Sequence, residues 1–224
     1  MIKAHGIDIP LTLEELATPE QIALIVYDMQ AGIVGQVKDG AKITTQVRTV
    51  LEAARRAGIR RFFTRHLSLP RELMGSFQYR MAMAWQRTTD PAQVQPWFLR
   101  DSPGFQIAEE LQPLPSEAIF DKLAMSAFEG TPLAFALRDC GLRAFVIVGI
   151  ALEIGIDPTC RHGADLGLIP VLVQDACGAG SPEAATLSLE SLTRMGDTLM
   201  TDTKAICSLF ARFEKGRFPG VKPA

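Results

Sequence analysis

Apolar residues gather in short continuous runs along the chain. Gln21-Ile-Ala-Leu-Ile-Val-Tyr27 ends at Asp28, Ala144-Phe-Val-Ile-Val148 ends at Gly149, and Pro170-Val-Leu-Val-Gln174 ends at Asp175. Continuous apolarity over so few residues predicts strands covered on both faces, as in a parallel sheet between helices. Ile59-Arg-Arg-Phe-Phe-Thr64 resumes a strand after Gly58, and Ala118-Ile-Phe120 and Thr198-Leu-Met-Thr201 predict two shorter ones. Between the runs the period changes to that of a helix. Val47, Val50, Leu51 and Ala54 fall at i, i+3, i+4 and i+7, which places one apolar stripe on a helix from about Thr44 to Ala57.

Glycine then stops a helix and an apolar strand follows at once, at Gly58, Gly141 and Gly167. Three such junctions predict repeated αβ units and a mostly parallel sheet. Thr131-Pro132 and Ser181-Pro182 mark helix starts, with the hydroxyl as N-cap and proline in the first turn. Thr203 to Phe213 reads as the closing helix. Residues 67–115 break the rhythm with six prolines and both tryptophans, and Leu73 to Trp85 suggests a short helix inside them. A long excursion between strands commonly covers the site of an α/β protein. Residues 1–20 read as an arm on the surface or on a neighbouring subunit, and 214–224 as a frayed tail.

Composition narrows the function classes. At 224 residues, 47% hydrophobic and with net charge −2, the chain reads as one globular domain spanning 1–224, with no basic surface for nucleic acid or an anionic membrane. No apolar run approaches the roughly 20 residues of a membrane span, and Met1 to Gly6 lacks a signal peptide's core, so a cytoplasmic location is expected. Cys140, Cys160, Cys177 and Cys207 are widely and irregularly spaced, which predicts buried free thiols. No cofactor motif is present, and none is expected.

Asp28, Lys122 and the turn Gly149 to Gly155 come from three different strands, all at carboxyl ends. Open α/β sheets bind ligands there. A carboxylate beside an ammonium is a common acid/base arrangement, and a sharp turn into a helix aims backbone N–H groups at whatever lies above the sheet. Taken alone, the same residues are as well explained by a structural ion pair and a tight turn.

Four stretches together resemble the isochorismatase-like, or cysteine hydrolase, superfamily: Leu24-Ile-Val-Tyr-Asp28-Met-Gln30; Lys122 with Ser126-Ala-Phe-Glu-Gly-Thr131-Pro-Leu133; Gly149 through Thr159; and Asp175-Ala176. The resemblance covers about residues 20–202. It implies a Rossmann-like three-layer α/β/α fold with a six-stranded mostly parallel sheet. It also implies a homodimer or homotetramer acting on a small molecule, and a cis peptide at Ile150-Ala151. In most members an Asp, a Lys and a nucleophilic Cys form a triad that attacks a C–N carbonyl, and Asp28 and Lys122 match two of the three.

The third is missing. The position that matches the nucleophile is Gly155, which has no side chain to attack with. Cys160 lies about 1.4 helical turns further on and is expected to be a buried helix cysteine. True isochorismatases also carry Gly at this place, and the resemblance to them implies Asp28 as general acid on a vinyl ether, Lys122 as its electrostatic partner, and the Gly155 N–H as an anion or water site. The chain departs from them at Ala151 and Glu153, where they carry a tyrosine and a histidine. Glu153 therefore offers a second carboxylate that acts on water at the site, faces a subunit interface or caps the helix. Ile150, Ala151, Gln30 and His66 are candidate contacts of the substrate. Thr64 stands where metal-binding amidases of the superfamily have an aspartate, so no zinc is expected at His66. His162 and Arg161 are expected to be exposed. Three readings remain open: hydrolysis by acid/base chemistry, C–N hydrolysis by activated water with Asp28 as base, and a binding protein that has lost its nucleophile.

Overall fold

The computed structural model describes residues 2–16 and 18–215. Six strands form one sheet: β1 Ile22–Tyr27, β2 Arg60–His66, β3 Ala118–Lys122, β4 Ala144–Ile150, β5 Ile169–Gly178 and β6 Leu199–Thr201. Their spatial order is β3-β2-β1-β4-β5-β6, and every neighbouring pair is parallel. The strand order reverses between β1 and β4. At such a reversal the connections leave in opposite directions and open a crevice above the carboxyl ends.

The sheet is covered on both faces, as the continuous apolar runs require. All six residues of β1 are buried. Ile22, Leu24 and Val26 pack beneath helices α1 Gly40–Ala57 and α6 Thr203–Lys215. The alternate residues Ala23, Ile25 and Tyr27 face helices α3 Leu133–Asp139, α4 Asp157–Asp165 and α5 Pro182–Met195. Strand periodicity thus sends Tyr27 to the α4 side of the sheet. A further helix, α2 Ser76–Gln86, lies in the excursion after β2.

Several boundaries differ from the sequence-based expectation. Helix α1 begins at Gly40, a turn earlier than the apolar stripe shows, because its first turn carries polar and small residues. Gly58 ends it in the left-handed conformation, at φ 70°. Strand β5 does not stop at Gln174 but runs to Gly178. Its register against β4 shifts between Ile147 and Gly149, and Asp175 falls within that irregular stretch. The Asp175 carboxylate accepts hydrogen bonds from the Thr203 amide and hydroxyl, at 2.8 and 2.9 Å, and so caps α6. The N-terminal arm is an antiparallel hairpin of Ile2–Ala4 with Ile7–Ile9, followed by a short helix at Leu13–Leu16. Of the expected frayed tail, residues 216–224 lie outside the described residues.

Gly149 sets the closest approach between β1 and β4. It pairs in register with Tyr27, at φ 134°. A Cβ there would stand 2.0 Å from the Tyr27 carbonyl oxygen. The neighbour is backbone and cannot move aside without opening the ladder. Replacing Gly149 with alanine is expected to destabilise the fold by about 3 kcal/mol or more, since strain and clash act together. Urea denaturation monitored by circular dichroism checks this; a midpoint equal to that of the parent chain would show that the two strands can separate freely.

Candidate active site

Asp28 follows β1 and has a left-handed backbone, φ 45°, rare for a residue with a side chain. The bend carries its carboxylate over the ends of β2 and β3. Lys122 is the last residue of β3, and its Nζ donates to Asp28 Oδ2 at 2.7 Å. Thr64 on β2 donates to Asp28 Oδ1 at 2.7 Å and accepts from the Asp28 amide at 3.2 Å. Both oxygens of the carboxylate are therefore held. The ammonium has three donors and three partners: Asp28, the Ala124 carbonyl at 3.2 Å, and the face of the Tyr27 ring, whose centre lies 4.4 Å away. Asp28 and Lys122 are only 3% and 2% exposed. Burial lowers the Lys122 pKa, and the Asp28 charge opposes that shift.

Tyr27 completes the base of the site. Its hydroxyl donates a short hydrogen bond to the Met125 carbonyl. Burial first, and then the neighbouring Asp28 carboxylate, raise its pKa well above the usual phenol value, so it stays protonated. A cavity of about 390 Å³ opens above these residues. Tyr27 and Asp28 lie at its base. His66, Trp85, Trp97 and Phe98 form one wall, and Ile33, Val37, Ile150, Ala151 and Ile154 the other. Three of the first four come from the excursion, which does cover the site. Arg87 lines the cavity as well and is exposed. It caps α2 in the left-handed conformation, φ 52°, where glycine is favoured.

The structure brings Asp28, Lys122, His66, Ile150 and Ala151 together and keeps three other candidates apart from the cavity. Gln30 is fully buried. Its Nε2 donates to the His66 and Phe105 carbonyls, and its Oε1 accepts from the His66 amide at 2.6 Å. With its polar atoms committed, it braces the loop ends and has none left for substrate. Glu153 Oε1 accepts from the Gly180 and Ser181 amides, each at 2.8 Å, at the start of α5. It does not cap the helix that follows the turn; it ties the turn to the segment before α5 and so positions Gly180, which lines the cavity. Gly155 lies in a π-helical turn, Leu152–Ile156, and its N–H donates to the Ala151 carbonyl at 3.0 Å. The expected anion site at that N–H is therefore closed. His162 is half-buried, with Nδ1 3.0 Å from Ser126 Oγ, and so departs from the exposed position expected. The Ile150–Ala151 peptide is cis.

A family model described as an isochorismatase domain matches residues 22–204. The chain belongs to the isochorismatase family. It is 28% identical over 190 residues to ureidoacrylate amidohydrolase RutB of Pantoea ananatis, covering 75% of this chain and 73% of that protein. Among solved structures it is similar to a cysteine hydrolase from Pseudomonas syringae pv. phaseolicola, at 25% identity and a TM-score of 0.73, covering 88% of this chain and 96% of that one. It shares its fold with N-carbamoylsarcosine amidase from Thermoplasma acidophilum, at 21% identity and a TM-score of 0.66, covering 82% and 96%. The chain is thus an isochorismatase-family hydrolase.

Among the described residues of this family member, no thiol lines the cavity. Cys160 is buried on α4 and Cys177 on β5, and burial raises the pKa of both, Cys177 to about 12. Among the described residues no group of His, Cys, Asp and Glu could hold a metal ion. Sequence reasoning misses Thr64, Tyr27, Arg87 and the three aromatic rings as parts of the site. It considers Thr64 only for what that residue replaces. The available signal is its position two residues before His66 on a strand, from which it faces Asp28 across the ladder.

His66 lines the cavity with its ring edge-on to Trp85 and Phe98. Burial and then the nearby Lys122 charge lower its pKa to about 4, against a smaller opposing effect of Asp28. It is therefore neutral at pH 7. The unfolded chain takes up this proton near pH 6.5, but the folded one resists until about pH 4. The unfolded state thus binds more protons in that window, and stability falls as pH falls through it. The loss from this group is expected to be on the order of 2–3 kcal/mol. Denaturation midpoints of His66→Gln and the parent chain, measured from pH 7 to pH 4, should converge towards the acid end; parallel curves would contradict this.

Proposed function

We propose that this chain hydrolyses a C–N bond in a small, planar molecule bearing a carboxylate, using a water activated by Asp28 and no covalent enzyme intermediate. The observation that carries this reading is the Asp28 carboxylate itself. It is buried, held by Lys122 and Thr64, and opens onto a cavity with no cysteine among the described residues that line it. A carboxylate held in place by an ammonium and a hydroxyl, and open to a cavity, can act as general base toward a bound water. Water attacks the carbonyl carbon as Asp28 takes its proton. The tetrahedral species collapses, the C–N bond breaks, and Asp28 returns the proton to the leaving nitrogen. Lys122 holds the carboxylate in place throughout. The backbone at Ile150 and Ala151 lines the cavity and is the group proposed to meet the charge that develops on the carbonyl oxygen.

The walls specify the rest of the substrate. Trp85, Trp97 and Phe98 suit a flat body and exclude water. Neutral His66 can donate one hydrogen bond. The Arg87 side chain makes no hydrogen bond or ion pair to another described residue, and it lines the cavity from a backbone conformation costing about 1 kcal/mol. Its guanidinium suits a carboxylate on the substrate. The likeness to a protein named for a ureido acid supports the same class.

The second reading is vinyl-ether hydrolysis with Asp28 as general acid. The family description favours it, because that chemistry needs no nucleophile. It starts from a protonated Asp28 that gives its proton to carbon, whereas the first reading starts from the carboxylate.

Incubation with ureidoacrylate, a panel of other ureides, amides and imides, and isochorismate, followed by mass spectrometry, separates the readings. Turnover of a ureide or amide supports the first, and turnover of isochorismate alone supports the second. Binding without turnover across the panel would make the chain a binding protein. Asp28→Asn is expected to lower kcat by about a thousandfold while substrate still binds; activity within about tenfold of the parent would remove Asp28 from the chemistry. Arg87→Gln is expected to raise KM about 10- to 100-fold for the acid and to leave the KM of its primary-amide analogue unchanged. Equal effects on both would show that Arg87 does not read the carboxylate.

A further inference from the structure

The π-helical turn at Leu152–Ile156 passes directly over Tyr27. A Cβ built on Gly155 would stand 1.8 Å from the Tyr27 hydroxyl oxygen, 2.4 Å from Cζ and 2.8 Å from Cε1. Among the described residues no other neighbour comes as close to that position. The two residues therefore occupy one volume: where the turn has no side chain, the strand supplies a phenol. The phenol cannot swing away easily. Tyr27 is 2% exposed, its ring covers the Lys122 ammonium at 4.4 Å, and its hydroxyl is held by the Met125 carbonyl. Gly155 itself is buried, and Thr159 Oγ1 donates to its carbonyl at 2.6 Å. Neither element can retreat.

The volume a side chain at 155 would need is that of the Tyr27 ring, and the same ring lies 4.4 Å from the Lys122 ammonium, which is hydrogen-bonded to Asp28. Tyr27 closes that space. We infer that Tyr27 and Gly155 act as a single reciprocal unit, in which the Tyr27 phenol takes the volume of a side chain at 155 and restricts this site to chemistry without a covalent intermediate. Gly155 is then a requirement of Tyr27 and not a lost catalytic residue. Tyr27 is a positioning residue. Its ring and hydroxyl hold Lys122 and the Met125 carbonyl, both on the segment that brings the ammonium to Asp28. The high phenol pKa agrees with this role, because a neutral hydroxyl that never ionises at pH 7 is a donor and not a nucleophile.

The reciprocity holds whichever bond the protein cleaves, and its test needs no substrate. Four chains are compared: the parent, Gly155→Cys, Tyr27→Val, and the double variant. Gly155→Cys alone is expected to lose thermal stability sharply, by about 10 °C or more in Tm, since the clash falls on a ring that is locked in place. The double variant is expected to recover most of that loss relative to Gly155→Cys. The two substitutions are then strongly non-additive, as contacting residues are. The second readout is alkylation by iodoacetamide, mapped by peptide mass spectrometry. In it the thiolate sulfur forms a bond to carbon as iodide leaves, and the thiol proton passes to solvent or to Asp28. The thiol introduced at 155 in the double variant is expected to react roughly tenfold or more faster than buried Cys160 and Cys177, with a pH–rate profile displaced below that of a free thiol by the Lys122 charge. Lys122→Met in the double-variant background should remove that displacement, which a purely structural role of the pocket would not.

Two results would overturn the inference. One is a Gly155→Cys chain with the parent's Tm, which would show that Tyr27 does not exclude a side chain there. The other is a folded double variant whose introduced thiol reacts no faster than the buried ones. Should the double variant fail to fold, Gly155→Ala with and without Tyr27→Val reads the same coupling with the smallest possible side chain. Failure of the proposed C–N hydrolysis would leave all of these results in place.

Discussion

The site depends on one buried ion pair. Taking a carboxylate and an ammonium out of water costs several kcal/mol each, and mutual attraction alone seldom offsets that. Here the remaining polar capacity is filled: Thr64 takes the second carboxylate oxygen, and the Ala124 carbonyl and the Tyr27 ring take the second and third directions of the ammonium. Two apolar residues would hold β1, β2 and β3 together at least as well. A charged pair in this position, facing a 390 Å³ cavity, is better explained by chemistry than by stability.

The fold supplies the geometry through the reversal in strand order between β1 and β4. Asp28 leaves the end of β1 in a left-handed bend, and Gly149 to Ala151 leave the end of β4 beside it. Because Gly149 has no Cβ, the two strands approach closely enough for the following turn to pass over Tyr27. The same contact that forbids a side chain at 149 thus prepares the contact that forbids one at 155. The first neighbour is main chain and the second is a side chain. Accommodating a side chain at 155 therefore calls for a change in one residue of β1, whereas accommodating one at 149 calls for rebuilding the sheet.

Membership of the isochorismatase family does not by itself decide the reaction. Fold and pocket placement go with the family, whereas the reaction is set by the few atoms at the base of the pocket. In this chain those atoms are a held carboxylate, a protonated phenol and a neutral imidazole, with Arg87 as the cation that faces solvent. The proposed hydrolysis by a bound water rests on this set.

Much of this is legible in the sequence. Continuous apolar runs and glycine-terminated helices carry the signature of a parallel sheet between helices. Asp28 and Lys122 at strand ends, with the Gly149 turn, carry the site. Each of those signals is local: a run, a stop or a spacing. What only the tertiary structure decided is how atoms from separate elements divide the same space. Gln30, Glu153 and Gly155 have the right types at the right positions, but their hydrogen bonds go to the loop ends, to the start of α5 and to Ala151. Thr64, Tyr27 and Arg87 carry no chemical motif of their own and gain their roles by contact. Above all, the absent side chain at 155 reads in one dimension as a loss. In three dimensions it is room for a phenol from the first strand of the sheet, since exclusion between packed atoms leaves no trace in either segment alone.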